Sequence, residues 1–129
     1  MSIIYTANTA PQAIPVGGTI SLGPVIRKSG RNLSASGGVI NVMGSGYYDI
    51  HALFNILGTA AGAVTITLFK DGIAIPGATA TVTVGDGGLA TLNIPAVIRQ
   101  QCCCESTITA ELSGTAATIN SASAVVSRA

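Results

Sequence analysis

The sequence has little charge and few aromatic side chains. Charged residues make up 9% of the 129 positions, aromatic residues 4%, and tryptophan is missing. Intrinsically disordered chains have the opposite balance, with much charge and few apolar residues. Here 48% of residues are hydrophobic, which predicts a folded chain of one domain. Because soluble monomers keep more charge than this, we expect copies of the chain to cover part of its apolar surface.

The sequence also lacks an excess of positive charge. Six basic residues are nearly balanced by five acids, giving a net charge of +1. Only Arg27, Lys28 and Arg31 lie close together in the sequence. A protein that binds nucleic acid must neutralise several phosphates with a basic surface. The balance therefore argues against a nucleic-acid partner.

Long apolar runs are missing as well. Residues 1–15 have no basic segment followed by an apolar stretch, so they do not match a signal peptide. No run approaches the roughly 18 apolar residues of a membrane span. We therefore expect a protein made in the host cytoplasm without a signal peptide and with no membrane partner.

Groups suited to catalysis are sparse. The single histidine, His51, lies two residues from Asp49 on the same strand face, which is not the geometry of a catalytic triad. The run Gly85-Asp86-Gly87-Gly88 lacks the lysine and the helix of a phosphate loop. We expect no enzyme activity and no cofactor. A glycan hydrolase acting through paired carboxylates is a remote alternative.

The three cysteines are adjacent, at Cys102, Cys103 and Cys104. They cannot form a disulfide framework, and no second cluster follows at zinc-site spacing. Three interpretations stay open: buried reduced thiols, disulfides between subunits, or a ring of thiols around a symmetry axis. Buried reduced thiols are the favoured interpretation, because free cysteine is among the most buried residue types.

A period of two runs through most of the chain and predicts strands. In residues 47–56, Tyr48, Ile50, Ala52, Phe54 and Ile56 alternate with more polar residues, and we expect this set to face the core. Residues 64–75 predict a hairpin that turns at Asp71-Gly72. About eight short strands with glycine-rich turns indicate an all-β sandwich or barrel, spanning residues 16–129.

The stretch before this domain has no clear period. Residues 5–15 are polar and contain two prolines, so the sequence predicts that residues 1–15 form an N-terminal arm outside the sandwich. We expect this arm to dock the domain onto a larger particle, with Tyr5, Pro11 and Pro15 as its contact residues.

Three segments resemble the globular head shared by complement component one q and the tumour necrosis factor family. They are Gly46-Tyr47-Tyr48-Asp49-Ile50-His51-Ala52, the hairpin with Pro76-Gly77 that spans residues 64–77, and the last strand, residues 122–128. The order is also similar to that of the C-terminal heads of collagen-like spore-surface glycoproteins. The resemblance implies a jelly-roll sandwich of about eight to ten antiparallel strands that forms a homotrimer.

The same resemblance implies that the segment beginning at Gly46 turns one face toward a three-fold axis. Tyr47, Asp49, His51 and Leu53 are the candidate axis residues. Three copies of His51 would then meet, either as a polar contact in a wet interface or as an anion or metal site. The polar contact is favoured, because a three-histidine metal site also needs supporting groups around its ligands.

Stand-alone heads of this kind are similar to small bacteriophage virion proteins. The favoured hypothesis is a non-enzymatic trimeric structural protein of a phage particle surface, a capsid decoration or the head of a head fibre. Its partners would be itself and a major capsid or other virion protein. The alternative is a receptor- or glycan-binding tip of a phage tail or of a spore surface, with a host surface glycan as ligand.

Overall fold

The computed structural model describes residues 2–101 and 105–128. Across these residues the chain forms twelve β-strands and no helix. The strands are β1 (Ile3–Asn8), β2 (Gln12–Ile14), β3 (Thr19–Ile20), β4 (Val25–Ser29), β5 (Leu33–Ser36), β6 (Val39–Met43), β7 (Gly46–Gly58), β8 (Gly62–Lys70), β9 (Ile73–Val84), β10 (Leu89–Gln100), β11 (Glu105–Gly114) and β12 (Ala117–Arg128). None of the described residues belongs to a helix long and apolar enough to cross a bilayer.

The strands form two antiparallel sheets packed face to face. Sheet A has the order β10-β7-β12-β1-β4, and β2 also pairs with β12. Sheet B has the order β5-β6-β11-β8-β9, and β3 also pairs with β11. Strands β10 and β9 meet along one side of the sandwich, and β4 and β5 meet along the other. The predicted all-β jelly-roll sandwich is thereby confirmed.

The core fills the space between the sheets. Every second side chain of β7 enters it, and the buried set is the predicted one: Tyr48, Ile50, Ala52, Phe54 and Ile56. Sheet B covers them with a matching set of buried side chains: Ile40, Val42, Val64, Ile66, Leu68, Ile108 and Leu112. A strand with one face on such a core and one face outward requires a period of two.

Tyr48 is the largest fully buried side chain, and its hydroxyl group is hydrogen-bonded. It donates to the carbonyl oxygens of Met43 and Gly44, each at 3.0 Å. Gly46 begins the strand at φ 136°, and a Cβ there would lie 2.9 Å from Nε of Arg128. The Gly-x-Tyr pattern therefore combines a backbone position that favours glycine with an anchored aromatic side chain.

The predicted hairpin is confirmed as β8 and β9. Asp71 and Gly72 form its turn with φ 53° and 80°, and Lys70 pairs with Ile73 across it. Positive φ at both turn residues is the type I′ conformation that suits a two-residue hairpin. The carboxylate of Asp71 also accepts a hydrogen bond of 3.0 Å from the backbone N–H of Thr107. The turn is thus fastened to β11.

The prediction that residues 1–15 form an arm outside the sandwich is wrong for most of that segment. Residues 3–8 form β1, which lies between β12 and β4 in sheet A. Ile4 and Thr6 are fully buried, and β2 adds a second paired segment within residues 1–15. Ile4 faces the core, while Ile3 and Tyr5 lie on the outer side of the sheet. Because both sides of β1 carry apolar residues, the alternation expected of a strand is hidden.

Candidate functional site: the open face of sheet A

We use the name open face for the side of sheet A that points away from the core. The strand register places its residues in rows that cross the sheet. One row runs from Pro95 of β10 through His51, Val125 and Tyr5 to Arg27 of β4. The next row contains Val97, Asp49, Ser127, Ile3 and Ser29 in the same strand order. Five strands therefore contribute to one continuous surface.

The open face carries most of the large apolar side chains that the fold leaves exposed. Tyr47 is 56% exposed, Val97 61% and Leu89 76%, and Leu53 and Ile3 are also exposed. Val125 and Tyr5 lie half-buried between them. Several large exposed apolar side chains on one face of a sheet are typical of a surface that other molecules cover.

Polar and charged side chains also lie on the open face, among them Asp49, His51 and Arg27, and some of its polar groups are already paired. The Asn55 amide donates to the hydroxyl of Ser121 at 2.6 Å and accepts from the hydroxyl of Thr91 at 3.0 Å. This bridge joins β12, β7 and β10. The bridge therefore satisfies part of the hydrogen-bonding capacity of these three side chains within the sheet.

The outer face of sheet B has a different composition. It carries threonine hydroxyl groups that bond across the strands: Thr65 with Thr81 at 2.8 Å, and Thr67 with Thr79 at 3.1 Å. Hydroxyl groups such as these are well hydrated when exposed. The two outer faces of the sandwich therefore differ in kind, and the open face is the one suited to burial.

The predicted axis residues Tyr47, Asp49, His51 and Leu53 all lie on the open face, along β7. Asp49 and His51 stand about 7 Å apart along the strand. Within the described residues no hydrogen bond joins them, and no group of three His, Cys, Asp or Glu side chains is placed to hold a metal ion. The four predicted residues therefore share one strand face and belong to one surface.

The docking residues predicted for the arm do not come together. Tyr5 lies in β1 beside Val125, while Pro11 and Pro15 are exposed in the loops that flank β2. The cysteine prediction concerns Cys102, Cys103 and Cys104, which lie outside the described residues. Sequence reasoning missed Leu89, Val97, Val125 and Ile3, whose shared surface is visible only once the strand order is known.

A cleft of about 330 Å³ lies beside the β8–β9 turn, lined by Lys70, Asp71, Pro76, Val97 and Arg99 among others. Two of its polar groups, those of Lys70 and Asp71, have structural partners. The Lys70 ammonium donates to the carbonyl oxygen of Arg99 at 2.9 Å, and Asp71 is held by Thr107. Among the described residues that line the cleft, Asp71 is the one carboxylate.

The two sheets, their strand order and the pairing of the last strand inside sheet A define a jelly roll of the tumour-necrosis-factor type. No protein-family model matches the sequence, and no curated protein matches it. Solved structures share the fold at low identity. Murine APRIL, of the tumour necrosis factor family, superposes with a TM-score of 0.70 at 13% identity, and the match covers 97% of each chain.

The vertex protein P5 of phage PRD1 is a second structural neighbour. It superposes with a TM-score of 0.68 at 11% identity, and the match covers 98% of this chain and 96% of P5. A second crystal structure of murine APRIL, at pH 8.5, gives a TM-score of 0.64 at 13% identity, with 97% coverage of both chains. At identities this low, the superpositions establish a shared fold and nothing further.

Proposed function

We propose that this chain is a non-enzymatic structural protein of a bacteriophage particle surface and that it assembles as a homotrimer through the open face. The observation that carries the proposal is the contrast between the two outer faces of the sandwich. One displays Tyr47, Leu53 and Val97, and the other displays hydrogen-bonded threonines. Self-association buries the apolar face and leaves the hydroxyl face in water.

A cyclic arrangement of three copies suits this surface. In a head-to-tail ring each copy offers one surface patch to the next, and rotation closes the ring. Leu89 and Val97 on β10 stand at one edge of sheet A, whereas Val125 lies on the central strand β12 and Tyr5 on β1, the next strand beyond it. The two apolar patches of one copy can therefore meet their counterparts on two different neighbours. Tyr47, Asp49, His51 and Leu53 lie between the patches, nearest the three-fold axis in this arrangement.

The particle assignment draws its support from the fold of the PRD1 vertex protein, which matches this chain over nearly its whole length. In this role the protein would lie on the virion as a capsid decoration or as the head of a head fibre. Its partner would be the major capsid protein or another virion protein. The hydroxyl face of sheet B would then face solvent.

Light scattering tests the assembly directly. Purified protein should give about three times the chain mass of 12.8 kDa. Leu53→Lys places a charge in the proposed interface and should release folded monomers, because an unpaired charge is costly to bury. Thr67→Lys places the same residue on sheet B and should leave the mass unchanged. A monomeric parent protein at micromolar concentration contradicts the assembly proposal.

Electron microscopy of the native particle tests the location. Gold-labelled antibody against the protein should mark capsids at regular positions. Label confined to tail tips, or to spore coats, would instead assign the protein to a receptor- or glycan-binding role.

A further inference from the structure

Strand β4 is an open edge of sheet A. It pairs with β1 on one side, and no strand of residues 2–101 or 105–128 pairs with its other side. All five of its residues are exposed, from Val25 to Ser29. An open edge presents backbone N–H and C=O groups that an added strand can pair with. At this edge the sheet can be extended by another chain.

The β4 edge is positively charged on both of its sides. Arg27 pairs with Tyr5 and so belongs to the open face, while Lys28 pairs with the buried Ile4 and belongs to the opposite side. Successive side chains of a strand point to opposite faces, which places one cation on each. A strand added here therefore meets one positive charge above the sheet and one below it.

The charges at this edge are not compensated within sheet A. Asp49 is the only carboxylate in its strands, and its row reaches β4 at Ser29 after crossing β12 and β1. Three strand spacings amount to about 14 Å. Because the Debye length is about 8 Å at physiological salt, salt screens most of the attraction between Asp49 and the cations of β4. The edge therefore attracts negative charge.

Apolar surface adjoins the same edge. Ile26 is 48% exposed and Val25 is exposed beside it. A cleft of about 400 Å³ opens at the start of β4, lined by residues that include Asn8, Pro24, Val25 and Ala35. A segment lying along β4 would therefore gain contacts with apolar side chains as well as backbone hydrogen bonds.

We infer that the β4 edge binds an extended acidic segment of a partner protein, which adds to sheet A as a further strand. Two neighbouring carboxylates in that segment would face Arg27 on one side of the sheet and Lys28 on the other. A second copy of this chain does not suit the edge, because pairing β4 with β4 would set cations against cations. The inference goes beyond the proposed function and does not require the trimer.

Synthetic peptides provide the test. The probe is a fluorescent ten-residue peptide of alternating Val and Thr with a central Glu-Glu pair, and its matched control carries Lys-Lys at the centre. The acidic probe should bind the full-length protein, and its binding should weaken between 50 and 300 mM salt. The double variant Arg27→Glu, Lys28→Glu should lower its affinity about tenfold, because two cross-strand charge pairs are lost. That variant should favour the Lys-Lys probe instead.

Two controls separate strand addition from general attraction. The double variant Lys70→Glu, Arg99→Glu makes the same charge change on the side of the sandwich where β9 and β10 meet, away from β4, and should bind the acidic probe as the parent does. An acidic probe N-methylated at alternate residues keeps its charge but cannot pair along one edge, so it should lose binding. Equal binding of the N-methylated and unmodified probes, or undiminished binding to the β4 double variant, would overturn the inference. Neither result would bear on the mass measured by light scattering.

Discussion

The substitution Ile4→Ala measures how much β1 contributes to the fold. Ile4 is 0% exposed and faces the core from the middle of sheet A. The change removes three carbon atoms, which is about 2.4 kcal/mol of lost transfer free energy at roughly 0.8 kcal/mol each. The cavity left behind raises the expected loss of unfolding free energy to about 3 kcal/mol. A flexible arm outside the sandwich would lose almost nothing.

Urea denaturation followed by circular dichroism is the assay. With a slope of about 1.5 kcal/mol per molar urea, the midpoint should fall by about 2 M. Thermal unfolding should show a fall in Tm of about 11 °C, given roughly 2.1 cal/mol/K of unfolding entropy per residue. All variants must be compared at one protein concentration, because assembly adds to apparent stability.

Ile26→Ala is the matched control, since it removes the same atoms from the exposed edge strand β4. Its free energy of unfolding should stay within about 0.5 kcal/mol of that of the parent. If Ile4→Ala is no more destabilising than Ile26→Ala, residues 3–8 do not pack in sheet A and the arm hypothesis returns.

Further substitutions test single features, each by urea denaturation unless stated. Gly72→Val should cost about 1 kcal/mol or more because of its positive φ, whereas Gly85→Val, equally free of neighbouring atoms, should cost little; equal effects would contradict the type I′ turn. Thr6→Val should stabilise by about 1 kcal/mol, since the buried hydroxyl has no partner among the described residues; a loss would reveal one. Tyr48→Phe should cost about 1 kcal/mol, and an unchanged midpoint would show that its two hydrogen bonds contribute nothing. On denaturing gels the protein should run as a monomer with or without reductant, as expected if Cys102, Cys103 and Cys104 are reduced. Dimer or trimer bands that disappear on reduction would show disulfides between subunits.

Sequence reasoning succeeded where a strand has one apolar and one polar side. Strand β7 alternates from Tyr48 to Ile56 and was predicted together with its core face. The β8–β9 hairpin carries its turn type in Asp71-Gly72, a signal that depends on two adjacent residues. Local patterns of this kind do not depend on how the rest of the chain is arranged.

Sequence reasoning failed where the burial of a strand's residues depends on which strands lie beside it in the fold. Strand β1 has apolar residues on both sides, so it shows no alternation, and β4 lies at an edge where none of its residues is buried. The open face is assembled from five strands in the order β10, β7, β12, β1 and β4. Val97 and Tyr5 share it only because β7 and β12 lie between them, and single-strand patterns carry no information about that order.

The position of β12 has a consequence for how the protein folds. This strand lies between β7 and β1, and Ile3 pairs with Ser127. While the chain is being synthesised, β1 can pair with β4 early, but it lacks its second partner until residues 117–128 leave the ribosome. Contacts this distant in sequence slow folding to the range of milliseconds to seconds. During that interval the apolar residues of β1 and β7 are exposed in the cell, so the yield of folded protein should depend on how well aggregation is prevented before β12 is synthesised.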